Sequence, residues 1–147
     1  MNKKVLLKRI LFLLYIAAVV WICIYHFRDL SRFPRIIWGI HSDKLVHFAL
    51  FFPFPILAYL SYDKTKYNTG SSVLFIIATF ILGFTVAGAT EYVQRFLPYR
   101  TADYSDMRAD ILSIGISCLL VFIADLKDNA RHRAGKIRRR KSHKRKH

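Results

Sequence analysis

The side chains best suited to chemistry in this chain are a few carboxylates and one imidazole that stand at the ends of long apolar segments. Asp43 and His47 are four residues apart, which is one turn of a helix, so this carboxylate can orient the imidazole. Glu91 stands inside the end of an apolar run, where an ionised carboxylate is costly unless it has a partner. We therefore predict a polar functional site around these residues.

A second set of polar residues follows Glu91 and completes the predicted site. The fork of Arg100 fits a phosphate or carboxylate through two hydrogen bonds. Asp106, Asp110, Ser113 and Ser117 follow at spacings of 4, 3 and 4, so on a helix they share one face that should point into a bundle. The candidate ligand-binding residues are Asp43, Lys44, His47, Glu91, Gln94, Arg100, Asp106 and Asp110, and the candidate catalytic residues are His47, Glu91 and Asp106.

Several kinds of role remain open for this site. His47 with Glu91 or Asp106 would form a general acid/base pair if the two groups come close. Alternatively, acids in the first turn of a helix are favoured by the helix dipole alone, and a buried charge network can serve only to fix the packing of a bundle. The sequence contains no Ser/His/Asp order, phosphate-binding loop or metal-ligand spacing, and Cys23 and Cys118 lie inside apolar runs, so we expect neither metal nor cofactor.

The elements that position these residues are predicted to be four membrane-spanning helices. The chain has 54% hydrophobic residues together with a net charge of +15, a combination that suits apolar segments in lipid with charges at the membrane faces. The pattern predicts an all-α integral membrane bundle over residues 1–126, with a kink at Pro53 and Pro55. The spans are predicted at about residues 10–27, 45–60, 73–96 and 106–126.

The strongly basic segment 127–147 is predicted to be a disordered tail, because it has no apolar periodicity. Its charge favours anionic lipid head groups over nucleic acid, since no base-reading element accompanies it. The positive-inside rule then places both termini in the cytoplasm and gathers the site at the outer face. The sequence does not determine the oligomeric state.

The order of these motifs resembles the VanZ-like family of small bacterial membrane proteins. The resemblance rests on Asp43-Lys44-Leu45-Val46-His47-Phe48, Glu91-x-x-Gln94, Pro98-x-Arg100 and Asp106, and it covers roughly residues 43–117. Where the family usually has Asn and Gly after the aspartate, this chain has Asp110 and Ser113. The resemblance implies a four-helix protein of the bacterial cell membrane, its named member being associated with resistance to the glycopeptide teicoplanin, and it attaches no firm reaction to the family.

Three hypotheses about function follow from residues and resemblance together. The favoured one is a cell-envelope protein whose outward-facing polar site holds an anionic group, such as a lipid-linked precursor or a phospholipid head. The second is a membrane transferase or hydrolase in which His47 acts as acid or base. The third is a non-catalytic structural or partner-binding module whose network serves only packing.

Overall fold

The computed structural model describes residues 3–25, 36–37, 40–62, 68–98 and 104–144, with side-chain surroundings up to residue 138. The described chain is all-α apart from one short pairing of β1 with β2, in which Ile36 faces His41 across an antiparallel register. The elements are α1 (Lys3–Ile24), β1 (Ile36–Ile37), β2 (Ile40–His41), α2 (Ser42–Phe51), α3 (Pro53–Ser61), α4 (Thr69–Gln94) and α5 (Tyr104–Lys144).

Four helical segments are long and apolar enough to cross a membrane: Lys3–Ile24, Ser42–Ser61, Thr69–Gln94 and Tyr104–Arg138. The distribution of side chains agrees with that composition. Leu74 on the outer surface is 70% exposed, whereas Asp110 inside the bundle is 0% exposed. Soluble proteins show the reverse preference, with leucine inside and aspartate outside. These features indicate a multi-pass membrane protein and confirm the predicted all-α class.

The second span is divided into two helices at Phe52. Proline at residue 53 lacks a backbone donor, and it occupies the first turn of α3, where that donor would have no helical partner. Phe52 still donates its backbone N–H to Phe48 at 3.0 Å, so the two helices continue one another closely. The helix is thus divided at Phe52, which keeps helical dihedrals of φ −60° and ψ −42°, and the bend predicted from Pro53 and Pro55 stays a prediction.

Close packing of α4 against its neighbours depends on Gly83. A Cβ atom at this position would lie 3.1 Å from Ile114 Cδ1 and 3.4 Å from Phe54 Cδ1, so α5 and α3 both approach the bare backbone. One turn later Ala87 is completely buried. Gly83 and Ala87 thus have the spacing of small residues that favours close helix approach.

The helices extend beyond the apolar runs that predicted them, and the prediction of a disordered tail is wrong for most of the segment. Helix α1 begins at Lys3 and α5 continues to Lys144. Lys, Arg and Ala are strong helix formers, and adding residues to an existing helix avoids the cost of nucleation. Forty-one residues give α5 a length of about 60 Å. Residues 145–147 lie outside the described chain.

Candidate functional site

The candidate site lies where the end of α1, the start of α2, the end of α4 and the start of α5 meet. Gln94 near the end of α4 donates its amide N–H to the backbone oxygen of Cys23 at 2.8 Å, which joins α4 to α1. His47 on α2 contacts Asp110 on α5, which joins the other two helices. Two long-range polar contacts thus bring four helix termini to one end of the bundle.

The imidazole of His47 and the carboxylate of Asp110 form the centre of the site. His47 Nδ1 is 3.2 Å from each oxygen of Asp110, and the two residues are 2% and 0% exposed. With Asp110 ionised, its oxygens only accept hydrogen bonds, so in that state Nδ1 carries the proton and Nε2 is the other ring nitrogen. The sequence suggested Asp43 as the orienting group, whereas the carboxylate that accepts from Nδ1 is Asp110 on a different helix.

Three further ionisable side chains, Asp43, Glu91 and Asp106, lie close to this pair. One potential metal-ligand atom from each of Asp43, His47 and Asp106, a carboxylate oxygen or a ring nitrogen, lies within 4.8 Å of the other two. The same holds for His47, Glu91 and Asp110. His47 belongs to both groups and is therefore central. The expectation that no metal-ligand pattern exists rested on spacing along one helix, and it missed these groups because their members come from α2, α4 and α5.

Glu91 and Gln94 enter the site from the last turns of α4 and are both buried. Glu91 has interactions of its own, while its Oε1 atom is buried and receives no hydrogen bond from the described residues. The Gln94 amide is used in the contact with Cys23, so it has an architectural role. Lys44 is half-buried at the start of α2. Arg100 lies outside the described residues.

The predicted polar face of α5 is confirmed. Asp106, Asp110, Ser113 and Ser117 are all buried, with at most 4% exposure. Ser113 donates its hydroxyl to the backbone oxygen of Asp110 at 2.9 Å, so this buried hydroxyl has a hydrogen-bond partner within its own helix. Ser117 Oγ is buried and makes no hydrogen bond within the described part of the chain. The face is therefore polar for at least three turns into the bundle.

A second polar cluster near the opposite end of the bundle was missed by the sequence reasoning. Tyr59 donates its hydroxyl to Asp125 at 2.9 Å, and Asn129 donates its amide to the Ser72 hydroxyl at 2.9 Å. Asp125 and Asn129 are each 4% exposed. Asp125 and Asn129 continue the buried face of α5 at steps of four residues from Ser117. This periodicity is hidden in the sequence because the basic composition from residue 127 onward is typical of a tail.

Comparison with known proteins adds one similarity. The chain is 31% identical over 80 residues to an uncharacterised protein of Schizosaccharomyces pombe, a match that covers 54% of this chain and 46% of the relative. The chain thus matches about half the length of that protein. No family model matches the chain, and no solved structure matches it.

Proposed function

We propose that this chain is a VanZ-like membrane protein of the bacterial cell envelope whose polar site engages the anionic head of a phospholipid or lipid-linked precursor. The observation that carries the proposal is the convergence of buried His47, Glu91, Asp106 and Asp110 at one end of the bundle. Resistance to a glycopeptide such as teicoplanin is the physiological setting that the sequence resemblance suggests.

The position of the site supports a head-group ligand. The helices that carry it begin or end there, so the site is at the depth where a bilayer changes from hydrocarbon to polar heads. Burying several carboxylates is expensive, and apolar side chains would hold helices together without that cost. Basic side chains at the same end, Lys44, Arg95 and Arg108, add charges that attract an anion.

The proposed orientation places this end at the outer face, with both termini in the cytoplasm. The long α5 then carries its basic C-terminal part out of the membrane on the cytoplasmic side. Lys127, Arg131, Arg133, Lys136 and Arg138 are all exposed there. Each basic residue near an anionic membrane surface contributes about 1 kcal/mol of attraction, so this helix would rest against anionic lipid heads rather than nucleic acid.

Binding of labelled lipids to the purified chain tests this proposal directly. The full chain in nanodiscs of neutral lipid should bind an anionic phospholipid or a polyprenyl phosphate at the site. Glu91→Gln and Arg100→Ala should each abolish this binding while the protein stays folded. Asp125→Asn changes a buried acid near the middle of α5, away from the site, and serves as the matched control. Equal lipid binding by the wild type and all variants would contradict the proposal.

A second candidate function is favoured by the His47–Asp110 geometry. A carboxylate that accepts the Nδ1 proton holds an imidazole in one tautomer and orientation, which is how enzymes position a histidine base. The chain would then be a transferase or hydrolase in which His47 removes a proton from the attacking group. His47→Gln should abolish turnover while ligand affinity remains. Turnover that persists in this variant would rule out the role.

A further inference from the structure

We propose that Asp43, His47 and Asp106 bind a divalent transition-metal ion, with Asp110 orienting the imidazole. This inference deepens the proposed function, because the metal supplies a positive charge that can bind an anionic head group. The choice of that ligand rests on the proposed function. The metal site itself is argued from the described side chains alone, and it can be tested without knowing the ligand.

The donor atoms are already close to the spacing that a metal requires. Bonds of about 2.1 Å in a tetrahedral arrangement hold two donor atoms about 3.4 Å apart. Donors of Asp43, His47 and Asp106 lie within 4.8 Å of one another. Side-chain rotation needs to close each gap by no more than about 1.4 Å. Asp43 and His47 lie in the first two turns of α2 and Asp106 in the first turn of α5, so helix backbones hold them in place.

The hydrogen bond between His47 and Asp110 has the form expected next to a metal. A metal-bound histidine usually donates its other ring N–H to a carboxylate, which fixes the tautomer and strengthens the nitrogen donor. Asp110 accepts from Nδ1 at 3.2 Å and is completely buried. This leaves Nε2 as the nitrogen that binds the metal. Asp110 is thus a positioning residue rather than a ligand.

The charge balance of the cluster points to a cation. The Asp43 and Asp106 carboxyl groups lie within 4.8 Å of each other and share a hydrogen bond, so without a cation one of them must hold a proton to relieve their repulsion. Two further acids, Glu91 and Asp110, surround the same imidazole. A divalent ion converts this repulsion into attraction. Such an ion would also offset the negative charge that an anionic head group meets at this cluster.

The donor types also indicate which metals fit. Imidazole suits zinc, iron and nickel, and carboxylate oxygen suits manganese and magnesium, so a mixed set favours a first-row divalent ion such as Zn²⁺ or Mn²⁺. Three protein ligands leave a coordination position open for water or a phosphate oxygen. Asp43 is exposed, which gives the ion a route from solvent to the buried donors.

The test measures metal binding by the full chain purified in detergent with a tag that contains no histidine. After removal of metal by a chelator and dialysis, Zn²⁺ and Mn²⁺ are titrated by calorimetry, and bound metal is counted by mass spectrometry. The wild-type chain should bind one ion that is lost in His47→Gln and in Asp43→Asn. Asp110→Asn should weaken binding by about 10- to 100-fold.

Two control variants separate this site from other binding. Asp125→Asn removes a buried acid elsewhere on α5, and His132→Gln removes an exposed histidine from its basic end. Both should bind metal like the wild type. Asp43 is on the surface, so Asp43→Asn keeps the proposal testable even if His47→Gln fails to fold. A Co²⁺ visible spectrum that changes in Asp43→Asn but not in Asp125→Asn would report the same ligands independently.

The outcomes distinguish this inference from the proposed function. Metal affinity that is equal in wild type and in Asp43→Asn, or absent from the wild type, overturns the metal site. If anionic lipid then still binds in the presence of chelator, the head-group function stands without a metal. If metal binds as expected while anionic lipid does not bind to the loaded protein, the metal site stands and the head-group function is wrong.

Discussion

The imidazole of His47 lies 3.2 Å from both carboxylate oxygens of Asp110, although 63 residues separate the two in sequence. This contact joins α2 to α5 inside a largely apolar bundle, so an apolar substitution of either residue leaves a buried polar partner behind. Substitutions of this pair can therefore show whether it contributes to stability, to ligand binding, or to both.

Replacing one member of this pair should destabilise the protein more than replacing both. Asp110→Leu leaves the imidazole buried without its carboxylate and should lower the free energy of unfolding by about 3–5 kcal/mol. The double change of His47 and Asp110 to Leu removes both polar groups and should recover most of that loss. Denaturation in mild detergent measures the cycle.

The same double variant tests whether the network serves only packing. If it folds well and also keeps lipid and metal binding, the site is architectural. If it folds well but binds neither, the pair is retained for function at the expense of stability.

Gly83 should tolerate no large side chain. Gly83→Leu would place atoms against Ile114 and Phe54, which lie 3.1 Å and 3.4 Å from the position of a Cβ. Such overpacking costs about 1–3 kcal/mol and should lower the midpoint of thermal unfolding in detergent. Gly115→Leu on α5 is the matched control, because among the described residues no other helix places an atom within 4 Å of its Cβ position. Similar losses in both variants would contradict this packing.

Tyr59→Phe should weaken the far end of the bundle without changing the candidate site. The variant removes the hydrogen bond to Asp125 and should cost about 0.5–1.5 kcal/mol, or more because Asp125 is buried. Tyr92→Phe alters an exposed tyrosine on α4 and should leave stability unchanged. Metal affinity should equal that of the wild type in both variants. A stability loss in Tyr92→Phe equal to that in Tyr59→Phe would contradict the role of this hydrogen bond.

The basic end of α5 should behave as a helix. A Cβ atom added at Gly135 would have no atom of another described element within 4 Å. Gly135→Ala should therefore act only through helix propensity and stabilise this segment by about 1 kcal/mol. Hydrogen exchange of the amides around residues 131–138 should slow accordingly. Gly135→Pro should make these amides exchange faster, and rapid exchange that is identical in all three chains would show that the segment is not helical in solution.

The sequence was sufficient for the spans and for the polar face of α5, because both depend on periodicity within one helix. The positions of Asp106, Asp110, Ser113 and Ser117 follow from 3.6 residues per turn, and burial of charge is costly enough to indicate which way that face points. Gly83 and Ala87 could likewise be recognised from their spacing alone.

The partners across helices could not be obtained in this way. Whether Asp43 or Asp110 accepts the proton of His47 Nδ1 depends on how α2 and α5 are rotated against each other, and no local pattern determines that rotation. The pairing of Tyr59 with Asp125 has the same origin. The helical tail was missed for another reason: a polar segment that cannot nucleate a helix can still extend one.

Helix α5 carries both polar clusters on one uninterrupted rod. Asp110 and Asp125 are about 22 Å apart along its axis, and each is bonded to the second span, through His47 and Tyr59. Turning or sliding α5 relative to that span would break both bonds together. The two helices are therefore held in register by hydrogen bonds at two separate depths of the bundle. Any movement of α5 along the second span therefore has to alter the candidate site and the cluster around Asp125 at the same time.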